Sequence, residues 1–510
     1  FSIIGNAISS IFSNASISPI YPFIMDLKTC LYVGFALYTI FVIYVGFIGS
    51  KKIKGLSDFA VASESMGPIS LGLAFAASFF SAATFLGYVG YAYAWGASAL
   101  WIFLAIFGGS TLGFIVIAKG VRDSNTKIKA LSLPDWLGEM YKSDFLRALV
   151  SIIVMIQMFY VAGQLSAGGT LLSGLLDIDY STAVIAVTVV TIVYVTLGGL
   201  FADVYTSIGQ TCLMMFAGVI VFLSGFFFFK GGITEVSTII AARDPLLTAV
   251  INPKSLHMYS YATVFGVILI EFAFSGQPQL LTKILALKDP KDMKKMIWTW
   301  IVASFCCMLV IFGGLYMLAL NPDLQQPDYA VVEYVRAYFH PIISTLLAVS
   351  IVAALMSTAC GLLLVMTTCI ANDLFIKTLV KRKIINIPQE KAQRIAFMMT
   401  KILPAVFGII CVLMTLHPPQ FMGVMVWIGI SGVASATLAP MLIAIIWPER
   451  INATAAIWGA IAGEATYMVV YLFTNIEKSV MAAGAWGLIV SFAVMWLLSS
   501  NKKKQRITEM

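Results

Sequence analysis

Long apolar runs recur from Thr29 to Leu498, and they limit what this chain can fold into. A run of about 18 or more apolar residues crosses a bilayer as a helix, and in lipid only helices and closed barrels satisfy every backbone N–H and C=O. The sequence divides into about thirteen such runs. They lie near Thr29–Gly49, Leu71–Ala94, Leu100–Ala118, Ala148–Leu175, Ala183–Leu200, Thr206–Phe229, Tyr261–Leu285, Met296–Leu320, Ile343–Ile376, Ile395–Leu416, Phe421–Ile446, Ala455–Phe473 and Val480–Leu498. A transmembrane barrel would instead show alternating segments of about 10 residues, and none occur. With 60% of residues apolar and 11% charged, the expectation is an all-α polytopic membrane protein.

Charge gives an orientation. With residues 1–28 as an extracytoplasmic arm, the loops expected in the cytoplasm hold 25 of the 32 Lys and Arg, including Lys51–Lys54, Lys119–Arg147, Leu287–Lys295, Lys381–Lys383, Lys502–Arg506 and Lys283. The opposite side holds six, and Lys401 lies within a span, where it is expected to snorkel. This asymmetry predicts an integral cell-membrane protein with its N-terminus outside and a cytoplasmic tail over 499–510. The net charge of +8 is spread over short loops as the insertion rule demands, so nucleic acid is not an expected partner. The arm carries no basic n-region, so it is not read as a signal peptide. The seven Cys form no CxxC pair and the three His are not clustered, which disfavours disulfides and transition-metal sites. No Walker A loop, HExxH or Ser/His/Asp set stands out, so neither ATP-driven transport nor an enzyme is expected. A secondary transporter is the leading class; a sodium-conducting channel or a sensor on the same scaffold is the rival.

Two spans look interrupted. In "EFAFSGQPQLLTK", Gly276 and Pro278 flank Gln277 at mid-span. Proline removes a donor and clashes with the preceding turn, giving either a kink or a discontinuous helix whose freed backbone groups line a cavity. In "LAFAASFFSAATFLG", Ser78, Ser81 and Thr84 follow one helical face among small residues, a pattern that also suits close helix packing. These spans are five apart. That offset fits two inverted five-helix repeats, over 71–229 and 257–446, with one extra helix before (29–50) and two after (455–498). A third feature is the adjacent hydroxyls of Ser357 and Thr358 inside "IVAALMSTACGLLLVMTTC". Their bland explanation is bonding back to carbonyls one turn earlier.

Taken together, "LSLPDWLGEMY" (131–141), "TLGGLFADV" (196–204), "FSGQPQLL" (274–281), "AALMSTACGLLL" with "ANDLF" (353–375) and "SGVASATLAPMLIAIIWP" (431–448) resemble the sodium:solute symporters. That family includes proline, pantothenate, acetate and sugar carriers, and the likeness runs from Gly46 to Pro448. It implies a LeuT-type five-plus-five fold and sodium-coupled import by alternating access. It also implies sodium ligands: the hydroxyls of Ser357 and Thr358 and the backbone carbonyls of Ala77, Phe80 and Ala354, a set of oxygens that suits a hard cation. Some members hold a second sodium, but the aligned positions here are Ser207, Ala359, Cys360 and Gly361. Asp203 falls one helical turn early, so one sodium and no organic cofactor are expected.

"SAATFLG" (81–87) and "VAGQLSAGGTLL" (161–172) look most like the carboxylate-type carriers, of pantothenate or a short monocarboxylate. A proline or other amino-acid carrier is the runner-up. Ser81, Gln164, Phe274, Gln277 and Pro278 are the expected solute contacts, although Phe274 also suits an apolar core. Glu271, one turn before the break, would hold a solute ammonium or a coupling proton, or serve structurally. It argues against a bare anionic solute. Glu464 is expected to be structural. Sodium, a small organic solute and lipid are the expected partners, with no obligatory protein partner.

Overall fold

The computed structural model describes residues 26–416, 422–474 and 476–499. Most of the N-terminal arm and all but Ser499 of the expected tail lie outside the described residues, as does Phe421. Within them every regular element is helical, apart from one isolated bridge between Met66 and Leu287.

The helices used below are α1 (Leu27–Ser50), α2 (Pro68–Phe79), α3 (Val89–Trp95), α4 (Thr111–Ile128), α5 (Leu133–Met140), α6 (Asp144–Val154), α7 (Gln157–Leu176) and α8 (Tyr180–Phe228). After α9 (Gly232–Arg243) come α10 (Tyr261–Phe274), α11 (Pro278–Leu285), α12 (Met293–Met308), α13 (Phe312–Leu320) and α14 (Ala330–Tyr338). The last are α15 (Pro341–Thr368), α16 (Gln389–Met414), α17 (Met422–Ile446), α18 (Ala453–Tyr467) and α19 (Val480–Leu498). Their starts follow local chemistry. Proline occupies the first turn of α2, α11 and α15, where no N–H partner is needed, and Ser260 forms a capping box with Thr263 at the start of α10.

Among the described residues, eleven helices are long and apolar enough to cross a membrane. Two of them, Ala83–Ile128 with 46 residues and α8 with 49, each join two of the runs drawn from sequence. At about 1.5 Å per residue, 49 residues would reach roughly 74 Å, more than twice a hydrocarbon core of about 30 Å. Gly199 breaks α8, with φ 47° and ψ −142°. A Cβ there would stand 2.7 Å from the Phe59 ring and 2.9 Å from the Phe59 carbonyl, so both the dihedral and the contact demand glycine.

The most apolar window of α15 is wholly buried, whereas only 22% of that of α1 is. The hydroxyl pair thus sits on a central helix, and α1 lies at the periphery. Helix α8 packs on both α1 and α15, α2 packs on α8 and α12, and α7 packs on α17.

On the face expected to be cytoplasmic, a polar network ties α5 and α6 to the π-helical end of the α15 span, Cys369–Val380. The buried Asp135 carboxylate lies 3.3 Å from Arg147 and 2.9 Å from Lys377, and accepts from Asn372 at 3.3 Å. Arg147 also pairs with Glu139 and Asp144, both at 2.6 Å. Nearby, Arg122 donates to the Leu287 carbonyl at 2.7 Å and pairs with Glu64 at 3.1 Å.

Candidate functional site: two broken helices around a central hydroxyl pair

Helix α2 ends at Phe79. Phe80 turns extended (ψ 107°), and the helix resumes after Ala82 with a π-helical turn, Ala83–Tyr88. No Gly or Pro makes this break. It is held from outside: Gln164 of α7 accepts the freed Ala82 N–H at 2.9 Å, and Ser81 Oγ accepts the Ala83 N–H at 3.1 Å. The second break spans Ser275–Gln277, between α10 and α11. Here the Gln277 amide donates to the Ile430 carbonyl at 2.9 Å and accepts from Gln157 at 2.9 Å. Gln157 also donates to Gln279 at 2.9 Å.

Four of the five expected sodium-ligand residues meet at the first break. Ser357 Oγ donates to the carbonyls of Ala77 (2.7 Å) and Ala354 (2.9 Å), and Thr358 Oγ1 donates to Ala77 at 3.3 Å. Back-bonding within the helix therefore accounts for only one of these three contacts; the other two cross between α15 and α2. All four residues are completely buried. Phe80, the fifth, follows α2 as its cap, and its own N–H returns to Ala76 at 2.8 Å. The last carbonyls of a helix have no intrahelical partner and carry the negative end of its dipole. The C-terminus of α2 thus presents to Ser357 and Thr358 a neutral, all-oxygen set that fits a small hard cation.

Beside it lies an aromatic wall. Phe274 stands 4.2 Å from Phe79, 6.1 Å from Trp427 and 6.4 Å from Tyr160, ring centre to ring centre, and Tyr88 is 6.5 Å from Trp427. Glu271, fully buried, accepts from Ser110 at 3.0 Å through one carboxylate oxygen, and the other has no partner. Tyr88 and Tyr160 lie within its electrostatic reach. Gln164 keeps Nε2 unpartnered after capping the break. Of the expected solute contacts, then, Ser81, Gln164 and Phe274 gather at this wall, Pro278 begins α11, and Gln277 is engaged by its own protein on both sides of its amide. Glu464 bonds Ser435 at 3.1 Å, at the contact between α18 and α17.

Two features were missed in the sequence reading. Gln157 obeys the same rule that picked out Gln164, an amide in an apolar span. Lys283, assigned above to the cytoplasmic face with the loop cations, is instead fully buried within α11 and paired with the equally buried Asp203 of α8. Its place near a helix end hid this, because sequence alone does not reveal a partner 80 positions away.

The sodium:solute symporter family model matches residues 59–463. The chain belongs to the sodium:solute symporter family. Its relatives include the osmoregulated proline transporter OpuE of Bacillus subtilis, 25% identical over 90% of this chain and 92% of that protein. The sodium/proline symporter of Salmonella typhimurium is 24% identical over 87% of this chain and 88% of its own length. Among solved structures, a Na+-coupled sialic acid symporter in a substrate-bound outward-open state superposes with a TM-score of 0.74. The match covers 94% of this chain and all of that one at 17% identity, which shows the fold. This symporter therefore has the LeuT-type helical architecture that its resemblance to the family implied. The carboxylate-type preference read from "SAATFLG" and "VAGQLSAGGTLL" finds no support in these relatives, which carry the names of proline transporters.

Proposed function

We propose that this symporter imports a small zwitterionic solute of the proline kind, together with one sodium ion, by alternating access across the cell membrane. The observation that carries the solute reading is the aromatic wall of Phe79, Tyr88, Tyr160, Phe274 and Trp427 with the half-partnered Glu271 carboxylate beside it. Aromatic faces and a carboxylate together suit an ammonium on an apolar ring. The solute carboxylate would meet the free Gln164 Nε2 and the N-terminal end of α11 at Pro278, with Ser81 beside them. A monocarboxylate without an ammonium would leave the Glu271 carboxyl without a cationic partner. The proline names of the relatives support the same choice.

The sodium would be held by the Ala77, Phe80 and Ala354 carbonyls and the Ser357 and Thr358 hydroxyls. Binding would turn both hydroxyl protons away from the carbonyls and hold the end of α2 against α15 through the ion, which would fix Phe79 in the aromatic wall. Solute would then bind between the breaks, and the repeats at 71–229 and 257–446 would rock to open the site inward.

A thermal-stabilisation panel tests this on the purified protein with proline, pantothenate, acetate, lactate, pyruvate and sugars, in sodium or potassium. Proline is expected to stabilise in sodium only. Glu271→Gln is expected to weaken that effect at least about tenfold, roughly 1.4 kcal/mol, while leaving stabilisation by sodium alone. Stabilisation by pantothenate or acetate instead would restore the carboxylate-type reading. Conduction without saturable solute uptake would favour a channel.

A further inference from the structure

Next to the sodium set lies a second group of buried polar atoms. Lys283 and Asp203 pair there at zero exposure, yet Asp203 Oδ1, Ser207 Oγ and Ser78 Oγ, all fully buried, have no hydrogen-bond partner. The Cys360 thiol lies within electrostatic reach of Asp203. A Cβ built on Gly361 would stand 3.4 Å from Ser78 Oγ and 3.6 Å from Lys283 Nζ, which fixes the ammonium beside that glycine. Gly361 lies one helical turn beyond Ser357 and Thr358, and Ser78 directly follows Ala77. The two groups are therefore neighbours on the same two helices.

A buried ion pair that serves only as a staple leaves the oxygens around it satisfied, because unmet polar atoms are costly. Here a carboxylate and two hydroxyls offer more oxygen than one ammonium uses. The charge balance is that of a monovalent-cation site whose cation is covalently attached. We propose that Lys283 is a tethered cation standing where a second sodium-sized ion would bind, so that this site contributes its charge without releasing an ion. The ammonium arrives on α11, the half-helix after the second break, and the carboxylate on α8, just past the Gly199 break. An ion at that point would be carried inward on each cycle, whereas the lysine stays with the protein. Removing the ammonium leaves Asp203, Ser207 and Ser78 as an oxygen set open to a free monovalent cation. The inference deepens the sodium reading above and rests on it.

The test is equilibrium binding of radioactive sodium to the purified full-length chain in alkaline buffer. Wild type is expected to bind one ion. Lys283→Met is expected to bind two, with the sodium dependence of stabilisation steepening from a Hill slope of about one toward two. Lys283→Met with Asp203→Asn, and Lys283→Arg alone, are expected to return to one. Two ions in wild type would overturn the proposal, as would an unchanged count and slope in Lys283→Met, which would make the pair a staple. If Lys283→Met does not fold, Lys283→Ala purified in methylammonium replaces it, with rescue by that amine expected and no rescue counting against the proposal. A wild type that binds no sodium would instead sink the Ser357–Thr358 assignment. Lys283→Met would then still gain one ion if the tether is real, and none if it is not.

Discussion

Ser357 makes two hydrogen bonds to carbonyls that the proposed ion would take as ligands, so its loss has two separable effects. Ser357→Ala is expected to lower stability without sodium by about 1 kcal/mol, as for a typical buried hydrogen bond. It is also expected to raise the sodium concentration for half-maximal stabilisation at least about tenfold. Titrating sodium against melting temperature reads both, and an unchanged sodium midpoint would leave Ser357 a purely structural hydroxyl. Gln164 tests the first break in the same way. Gln164→Leu leaves the buried Ala82 N–H without its acceptor and is expected to cost about 1–3 kcal/mol, whereas Gln164→Glu, compared at a pH where its buried carboxyl is protonated and neutral, keeps an acceptor oxygen and is expected to cost less. Equal losses in chemical denaturation would show that packing, not the hydrogen bond, holds the break.

At the scale of the helix, Gly199 divides α8 because its positive φ and its closeness to Phe59 admit no side chain. Gly199→Ala is expected to lower the melting temperature by several degrees, and a neutral result would show that the break survives without glycine. What sequence revealed follows the same chemistry. The second break was legible because Gly276 and Pro278 state it in residue type. The first was only half legible, since Phe80–Ala82 are ordinary helix formers and the device that opens the helix, Gln164, lies on another element. The Ser357–Thr358 pair could be read as unusual from its setting, but its partner Ala77 contributes a backbone atom and leaves no mark in side-chain chemistry. Lys283 was misplaced because distance from a helix end is a poor guide to burial when a carboxylate from a distant helix waits for it.

Across the whole molecule, the face expected to be cytoplasmic carries the network around Asp135, Arg147 and Lys377, which joins α5 and α6 to the end of the α15 span. Lys377→Met is expected to raise hydrogen exchange in α5 and in 369–380 more than elsewhere; uniform exchange would show that the network does not act as a local latch. On the other side, His257 lies in the loop before α10, its ring nitrogens 2.9 Å from Ser479 Oγ and 3.4 Å from Tyr91 Oη. Burial pushes this imidazole down from 6.5 to about 3. The folded chain thus binds fewer protons than the unfolded one across that window. The stability this gives is full above 6.5 and is lost as pH falls toward 3. His257→Asn is expected to flatten that part of the melting-temperature profile, and an unchanged acid slope would assign the loss to other groups. The bridge at Met66 has a different consequence. Its N–H pairs with the Ala286 carbonyl and its carbonyl with the Lys288 N–H, so the segment before α2 meets its backbone partners on the strip that follows α11. A ribosome reaches those partners only after more than two hundred further residues have been inserted. Until then the first broken helix stands unfinished in the bilayer, and final assembly of the transporter must wait for the second.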